Sequence, residues 1–188
     1  EKLSGKGDTS QKLTLMKTSA DSLKKSADAL NDSSLLEKKK IKKKYEKTGE
    51  EIEVEDYDWD KITKAVKSFV EDYNDVVKEA GESNTKDVLR NASWMTGMTD
   101  KNSNMLAKIG ITIGKGNKLE LDEDALKQAD ISSLKTVFTG YNSFVSKISQ
   151  KATGISNAAN RASATYTNNG TYSKTDSSLT SSKIDKEV

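Results

Sequence analysis

The chain contains no cysteine, no histidine and no proline. Without cysteine there is neither a disulfide nor a thiolate metal site. Without histidine the commonest general base and the commonest metal ligand are both missing. Without proline no stretch is barred from a helix. Apolar residues are scarce at 33%, and aromatics at 6%, where a compact globule carries about 45–50% apolar residues. This shortage points to narrow helical seams rather than a thick core. No apolar run reaches the roughly 18–20 residues that cross a bilayer, so no membrane span is expected. Charged residues make up 32% but nearly cancel, at a net +2, so the whole molecule is not a polyelectrolyte seeking nucleic acid.

What is present is helical periodicity. Residues 1–8 are polar and are expected to be a flexible N-terminus. Leu13, Met16, Ala20, Leu23, Ala27 and Leu30 then recur at spacings of 3 and 4, which makes one stripe of a helix over about Thr9–Asn31. Ile62, Val66, Phe69, Tyr73 and Val76 repeat the pattern on a helix beginning near Lys61, and Gly81 stands at its end. Residues 82–108 are weaker and predict two short helices with a break at Gly97. The longest pattern is Leu134, Phe138, Tyr141, Val145, Ile148, Ala152, Ile155, Ala159, Ala162 and Tyr166. It predicts one helix about 50 Å long at 1.5 Å per residue. Such a seam needs a partner, and the first helix has matching width and the same alanine layers. The predicted packing seam is therefore Leu134, Phe138, Tyr141, Val145, Ile148, Ala152 and Ile155, facing Leu13, Met16, Ala20, Leu23 and Leu30. Residues 167–188 are too polar to fold alone and are expected to be disordered.

Two stretches break the helical period. Glu37–Lys47 holds seven lysines and Glu50–Asp60 holds seven acids, back to back across Thr48-Gly49. Both alternate. A register that sets Tyr45 against Ile52 or Val54 also sets Lys42 and Lys44 against glutamates, with about 0.2–1 kcal/mol per cross-strand pair. A charged hairpin over 38–56 is favoured over a basic binding patch. In the second stretch Ile109, Ile111 and Ile113 alternate, as do Leu119 and Leu121, around Gly114-Lys-Gly-Asn117. This predicts a hairpin over 109–121 whose glycines supply left-handed turn positions. Asp122 follows where a helix N-cap belongs, ahead of a short helix over Glu123–Ala129. The expected fold is thus mainly α: an elongated helical bundle or coiled-coil-like pair, a single domain over 9–166 with two hairpin insertions.

Chemistry finds little purchase. Asp56, Asp58 and Asp60 have the spacing that opens a calcium loop, but Lys61 and Lys67 stand where glycine and glutamate are needed. These acids suit a helix N-terminus instead. Ser132-x-x-Lys135 and Ser22-x-x-Lys25 have the spacing of a Ser–Lys pair, yet each lysine falls on a wet helix face with nothing to desolvate it. Gly114-Lys-Gly116 lacks the rest of a phosphate loop. No catalytic, cofactor-binding or metal-binding residue is assigned, and no enzyme, cofactor, small-molecule substrate or nucleic-acid partner is expected.

Three motifs carry a family resemblance. Ala65-Val-Lys-Ser-Phe-Val-Glu-Asp-Tyr-Asn74 ends in F-V-x-x-Y-N. Leu106-Ala-Lys-Ile-Gly-Ile111 is followed by Gly116-Asn-Lys-Leu-Glu-Leu-Asp-Glu-Asp-Ala-Leu126, an I-G-I strand, a glycine turn and L-x-L-D before a helix. Val137-Phe138 with Gly140 follows. Together, over about residues 62–140, they resemble the C-terminal core of the flagellar hook-associated protein 2 family, the filament caps. The resemblance implies an extracellular, structural protein of the bacterial flagellum, exported without a cleaved signal peptide. It also implies self-association or packing with flagellin or other axial proteins. Members of that family carry large β-rich domains between the first helix and the F-V-x-x-Y-N helix; here that interval is only Glu37–Asp60, so the chain reads as a reduced relative. The alternative is a monomeric, adhesin-like binding module secreted or at the cell surface.

Overall fold

The computed structural model describes residues 7–184, with side chains described as far as Thr165. The fold is mainly α. Helix α1 spans Ser10–Leu30, and Thr9 caps it by accepting the Lys12 N–H. A 3-10 turn over Ser33–Leu36 leads into strands β1 (Lys39–Lys44) and β2 (Glu51–Asp56). Helix α2 (Trp59–Gly81) is capped by Asp58, and α3 (Lys86–Lys101) follows a tight turn. The short α4 (Ser103–Ala107), strands β3 (Ile111–Ile113) and β4 (Leu119–Leu121), α5 (Glu123–Gln128), α6 (Ile131–Phe138) and the long α7 (Phe144–Ile184) complete the chain.

Helix α1 packs between α2 and α7, and α3 packs between the same two helices from the other side. The predicted two-helix pair is therefore a bundle of four. Each of these helices meets two neighbours because its apolar stripe is wide: Phe69, Val70 and Tyr73 on α2 and Phe144, Val145 and Ile148 on α7 are all buried. Phe69 and Tyr73 of α2 are fully buried, and the Phe69 ring meets Phe144 of α7 edge-on at 6.4 Å.

The long C-terminal pattern is not one helix. It breaks between Phe138 and Phe144, and Tyr141, a predicted seam residue, is 83% exposed. Gly140 adopts φ 105°, and its N–H donates to Asn31 Oδ1 at 2.9 Å. That bond ties the α6–α7 bend to the end of α1. The hydrophobic period survives the bend, but the backbone does not. Beyond Thr165 the α7 backbone is helical to Ile184, where the sequence predicts disorder; with no proline in the way, a helix nucleated in the packed segment propagates outward. Residues 185–188 of the expected tail, and residues 1–6 of the expected flexible N-terminus, lie outside the described residues.

Gly97 does not interrupt α3, which runs on to Lys101; the break falls at Asn102. In the charged hairpin Lys40, Lys42 and Lys44 stand opposite Glu55, Glu53 and Glu51, and Ile41 opposite Val54. Tyr45 lies beyond the paired strands and bonds the Glu50 carbonyl, so Lys43, not Tyr45, faces Ile52.

Asp8 corrects the expectation of a loose N-terminus through residue 8. Its carboxylate has no accessible surface and accepts bonds from Ser83 Oγ (2.7 Å), the Asn84 N–H (2.9 Å), the Thr85 N–H (3.1 Å) and Thr85 Oγ1 (2.6 Å). Thr85 has no side-chain cap of its own, so Asp8 caps α3 from across the bundle. Burial pushes its pKa up, but the bonds from Thr85, Asn84, Ser83 and Lys12 outweigh that and hold it down at about 2. Because the folded pKa lies below the ordinary 3.8, the stabilisation is complete above about pH 4 and disappears as the pH falls towards 2. Asp8→Ala should cost roughly 1–2 kcal/mol at neutral pH, allowing for solvent screening at this surface corner. Denaturant melts of wild type and variant should converge near pH 2, and a gap that persists there would rule out the carboxylate as its source.

Candidate assembly site

The α1–α7 seam is built from small residues. Ala20 and Ala27 of α1 and Ala152 and Ala159 of α7 are essentially fully buried, which lets the two backbones approach closely. Ser149 Oγ donates to Asp28 Oδ1 at 2.7 Å, and Ser156 Oγ donates to Asp21 Oδ1 at 2.6 Å. The partner numbers fall on one helix as they rise on the other, so the pair is antiparallel. Each aspartate also meets a lysine one turn earlier on α1, Lys17 to Asp21 at 2.8 Å and Lys24 to Asp28 at 2.5 Å. Partial burial pushes both carboxyls up, but hydrogen bonds from Lys17 and Ser156, or from Lys24 and Ser149, leave both below the ordinary carboxylate range. The two Lys–Asp–Ser sets are one heptad apart. They act as a register mark along an alanine-rich seam whose apolar layers would otherwise tolerate sliding.

The other predicted seam positions are buried too. Leu13, Met16, Leu23 and Leu30 lie at 0–5% exposure, and Leu134, Phe138, Val145, Ile148 and Ile155 at 0%. They are used within the chain, which leaves an assembling partner only the outer surface.

The hairpin core is docked on α2. Ile111 and Leu119 are buried, while Ile113 and Leu121 pack half-buried against the core. Ile111 pairs with Leu121 and Ile113 with Leu119. Ile109 is buried but precedes the strand, separated from it by Gly110. The left-handed turn residues are Gly116 (φ 67°) and Asn117 (φ 61°). Asn74 joins this unit to the bundle: its Nδ2 donates to the Leu119 carbonyl at 2.9 Å, and its Oδ1 accepts the Leu119 N–H at 2.7 Å. Its neighbour Tyr73 donates to Thr99 Oγ1 at 2.8 Å, tying α2 to α3. Burial pushes the Tyr73 hydroxyl up to about 12 in spite of that bond, so it stays a neutral donor. The Tyr-Asn pair is thus the junction of helix, helix and hairpin. Sequence periodicity finds Tyr73; Asn74 is marked only as the end of the F-V-x-x-Y-N motif, with no sign there of the backbone it pairs with.

The outer surface carries a groove of about 560 Å³ between α3 and α7, lined by Arg90, Trp94, Met98, Lys101 and Lys147. Trp94 is 57% exposed, and Lys151 Nζ sits 4.0 Å from its ring centre, a cation–π contact. Two turns earlier on α3, Asp87 holds Arg90 at 3.7 Å and Arg161 of α7 at 3.9 Å. Trp94 stands out in composition, but only the α3–α7 pairing brings Lys147 and Lys151 beside it. Among the described residues no group of three or more acidic side chains is placed to hold a metal ion, and no helix is long and apolar enough to cross a membrane.

No curated protein and no solved structure matches the chain. A family described as flagellar hook-associated protein 2 C-terminus matches residues 83–187, from the α2–α3 turn through α3, the docked hairpin and α7. That match covers more than half of the sequence, and the chain belongs to the flagellar hook-associated protein 2 family, through its C-terminal region.

Proposed function

We propose that this chain is a structural protein of flagellar assembly, similar to the filament cap, working at the extracellular filament by packing against copies of itself or flagellin rather than by chemistry. The observation that carries this reading is the family match across 83–187, the part that contains the hairpin docked through Asn74 and the register-marked α7. A bundle whose apolar seam is closed inside the chain is a rigid strut. Its partners meet its outer faces, where charge and a few exposed rings set specificity. Sedimentation of the protein alone and mixed with flagellin tests the reading: a mass above the monomer is expected in at least one case. A strict monomer that ignores flagellin would overturn it and favour a monomeric surface-binding module.

A further inference from the structure

The groove between α3 and α7 has features that packing inside the chain does not explain. Trp94, Gly97, Met98 and Lys101 fall at i, i+3, i+4 and i+7, so they line one face of α3. Gly97 lies inside a regular helix, where glycine costs about 1 kcal/mol relative to alanine. Yet a Cβ added there would meet nothing within 4 Å. Among the described residues no neighbour requires the missing side chain. Across the groove Lys147 and Lys151 are one turn apart on α7. Among the described residues neither they nor Lys101 forms an ion pair. The groove is therefore an open, positively charged trough with an exposed indole in it.

The opposite side of the bundle carries the complement. In the four-helix arrangement the α3–α7 edge lies across from the α1–α2 edge. Helix α2 there presents Glu71, Asp72, Asp75 and Glu79, none of which is in an ion pair among the described residues. Asp72 is half-buried. Its carboxyl is raised, first by burial and then by Asp75 and Glu71. Leu15 of α1, 48% exposed, adds an apolar side chain on α1. The acidic stripe from Glu71 to Glu79 runs about 12 Å along α2, and the groove from Arg90 to Lys101 about 16 Å along α3.

We infer that the acidic α1–α2 edge of one copy docks in the Trp94 groove of the next. This deepens the assembly reading and rests on it. Because two different surfaces meet, the contact is head-to-tail and propagates into a ring or a chain rather than closing as a two-fold dimer. Trp94 enters as the buried anchor, and the lysines select acidic partners and make the contact salt-sensitive.

Charge reversal in mixtures tests this. Lys147→Glu with Lys151→Glu reverses the groove; Asp75→Lys with Glu79→Lys reverses the edge. Each doubly substituted protein alone should associate at least tenfold more weakly than wild type by sedimentation, while keeping its circular dichroism. Mixed in equal amounts, the two should associate again, since each groove then meets an opposite edge. In wild type the Trp94 emission should shift to the blue with rising protein concentration and return with salt, and Trp94→Ala should abolish both the shift and the association. Wild-type association that survives both reversals and Trp94→Ala would overturn the groove contact while leaving the assembly reading intact. The same holds for a wild type that is monomeric alone but binds flagellin. A wild type that is monomeric with and without flagellin would overturn both.

Discussion

Replacing Gly110 with valine is expected to destabilise the protein by roughly 3–5 kcal/mol, the largest effect of any single substitution outside the bundle core. Two separate terms add. At φ 84° an L-residue pays about 1–2 kcal/mol for its left-handed backbone, and a β-branched one more. A Cβ there would also stand 2.6 Å from the Asp122 carbonyl oxygen and 2.9 Å from the Leu126 nitrogen. Both are backbone atoms that cannot swing aside, so the α4–β3 junction or the start of α5 must move, at about 1–3 kcal/mol. The Gly110 carbonyl accepts the Asp122 N–H at 2.8 Å, and the same movement stretches that bond. Gly116→Ala is the control: its φ of 67° is left-handed, but nothing lies within 4 Å, so only the backbone term of about 1–2 kcal/mol remains. Urea melts of the two variants separate the terms. Equal losses would mean that the close approach at Gly110 has no energetic weight.

Asn74→Ala is expected to cost about 2–4 kcal/mol. It leaves both the N–H and the C=O of Leu119, a residue 3% exposed, without their partner. Each unpaired backbone group costs about 1–3 kcal/mol when it cannot reach water. The damage should be local at first, with the Leu119 amide losing hydrogen-exchange protection before the α1–α7 seam opens. Asn74→Asp sharpens the point. Its carboxylate still accepts the Leu119 N–H but turns a second oxygen on the Leu119 carbonyl. The charged form is disfavoured in the fold, so the carboxyl is raised above its unfolded value. Stability of this variant should therefore be best below about pH 4 and fall as the pH rises through the raised pKa, opposite in sign to the contribution of Asp8. An Asn74→Ala protein with wild-type stability and an unchanged Leu119 amide would show that the hairpin is held by apolar contact alone.

Both substitutions bear on how the family motifs read in this chain. The F-V-x-x-Y-N helix and the I-G-I strand look like separate signatures in the sequence, forty residues apart. In the fold they are one joint: Asn74 pairs with the backbone of β4, and Gly110 lets the strand leave α4 close against α5. The joint explains why a segment with no reactive group is so distinctive in composition. Its residues are chosen by backbone geometry and hydrogen-bond pairing, not by chemistry.

The sequence by itself determined α1 and α2 and which face of each is buried. Leu13 to Leu30 and Ile62 to Val76 are legible because a 3.6-residue period repeated over several turns leaves little freedom in which side goes inward. The charged hairpin is legible as a hairpin because both strands alternate, but its register is not, since Lys43 rather than Tyr45 faces Ile52. The caps at Asp58 and Asp122 follow from local backbone need. Tertiary structure alone decided what depends on residues far apart in the chain. Tyr141 keeps perfect seam spacing yet is exposed, because Asn31, more than a hundred residues away, holds Gly140 in a bend that periodicity does not register. Asp8 reads as part of a loose end, but it is the cap of a helix 77 residues on. The heptad repeat of Lys17-Asp21 and Lys24-Asp28 is visible in the sequence, but its use as a register mark depends on Ser149 and Ser156 arriving antiparallel. The assembly surface shows the same division. Trp94 and the acids of α2 can be picked out one by one, but a groove and its complementary edge exist only once four helices have been placed around a common core.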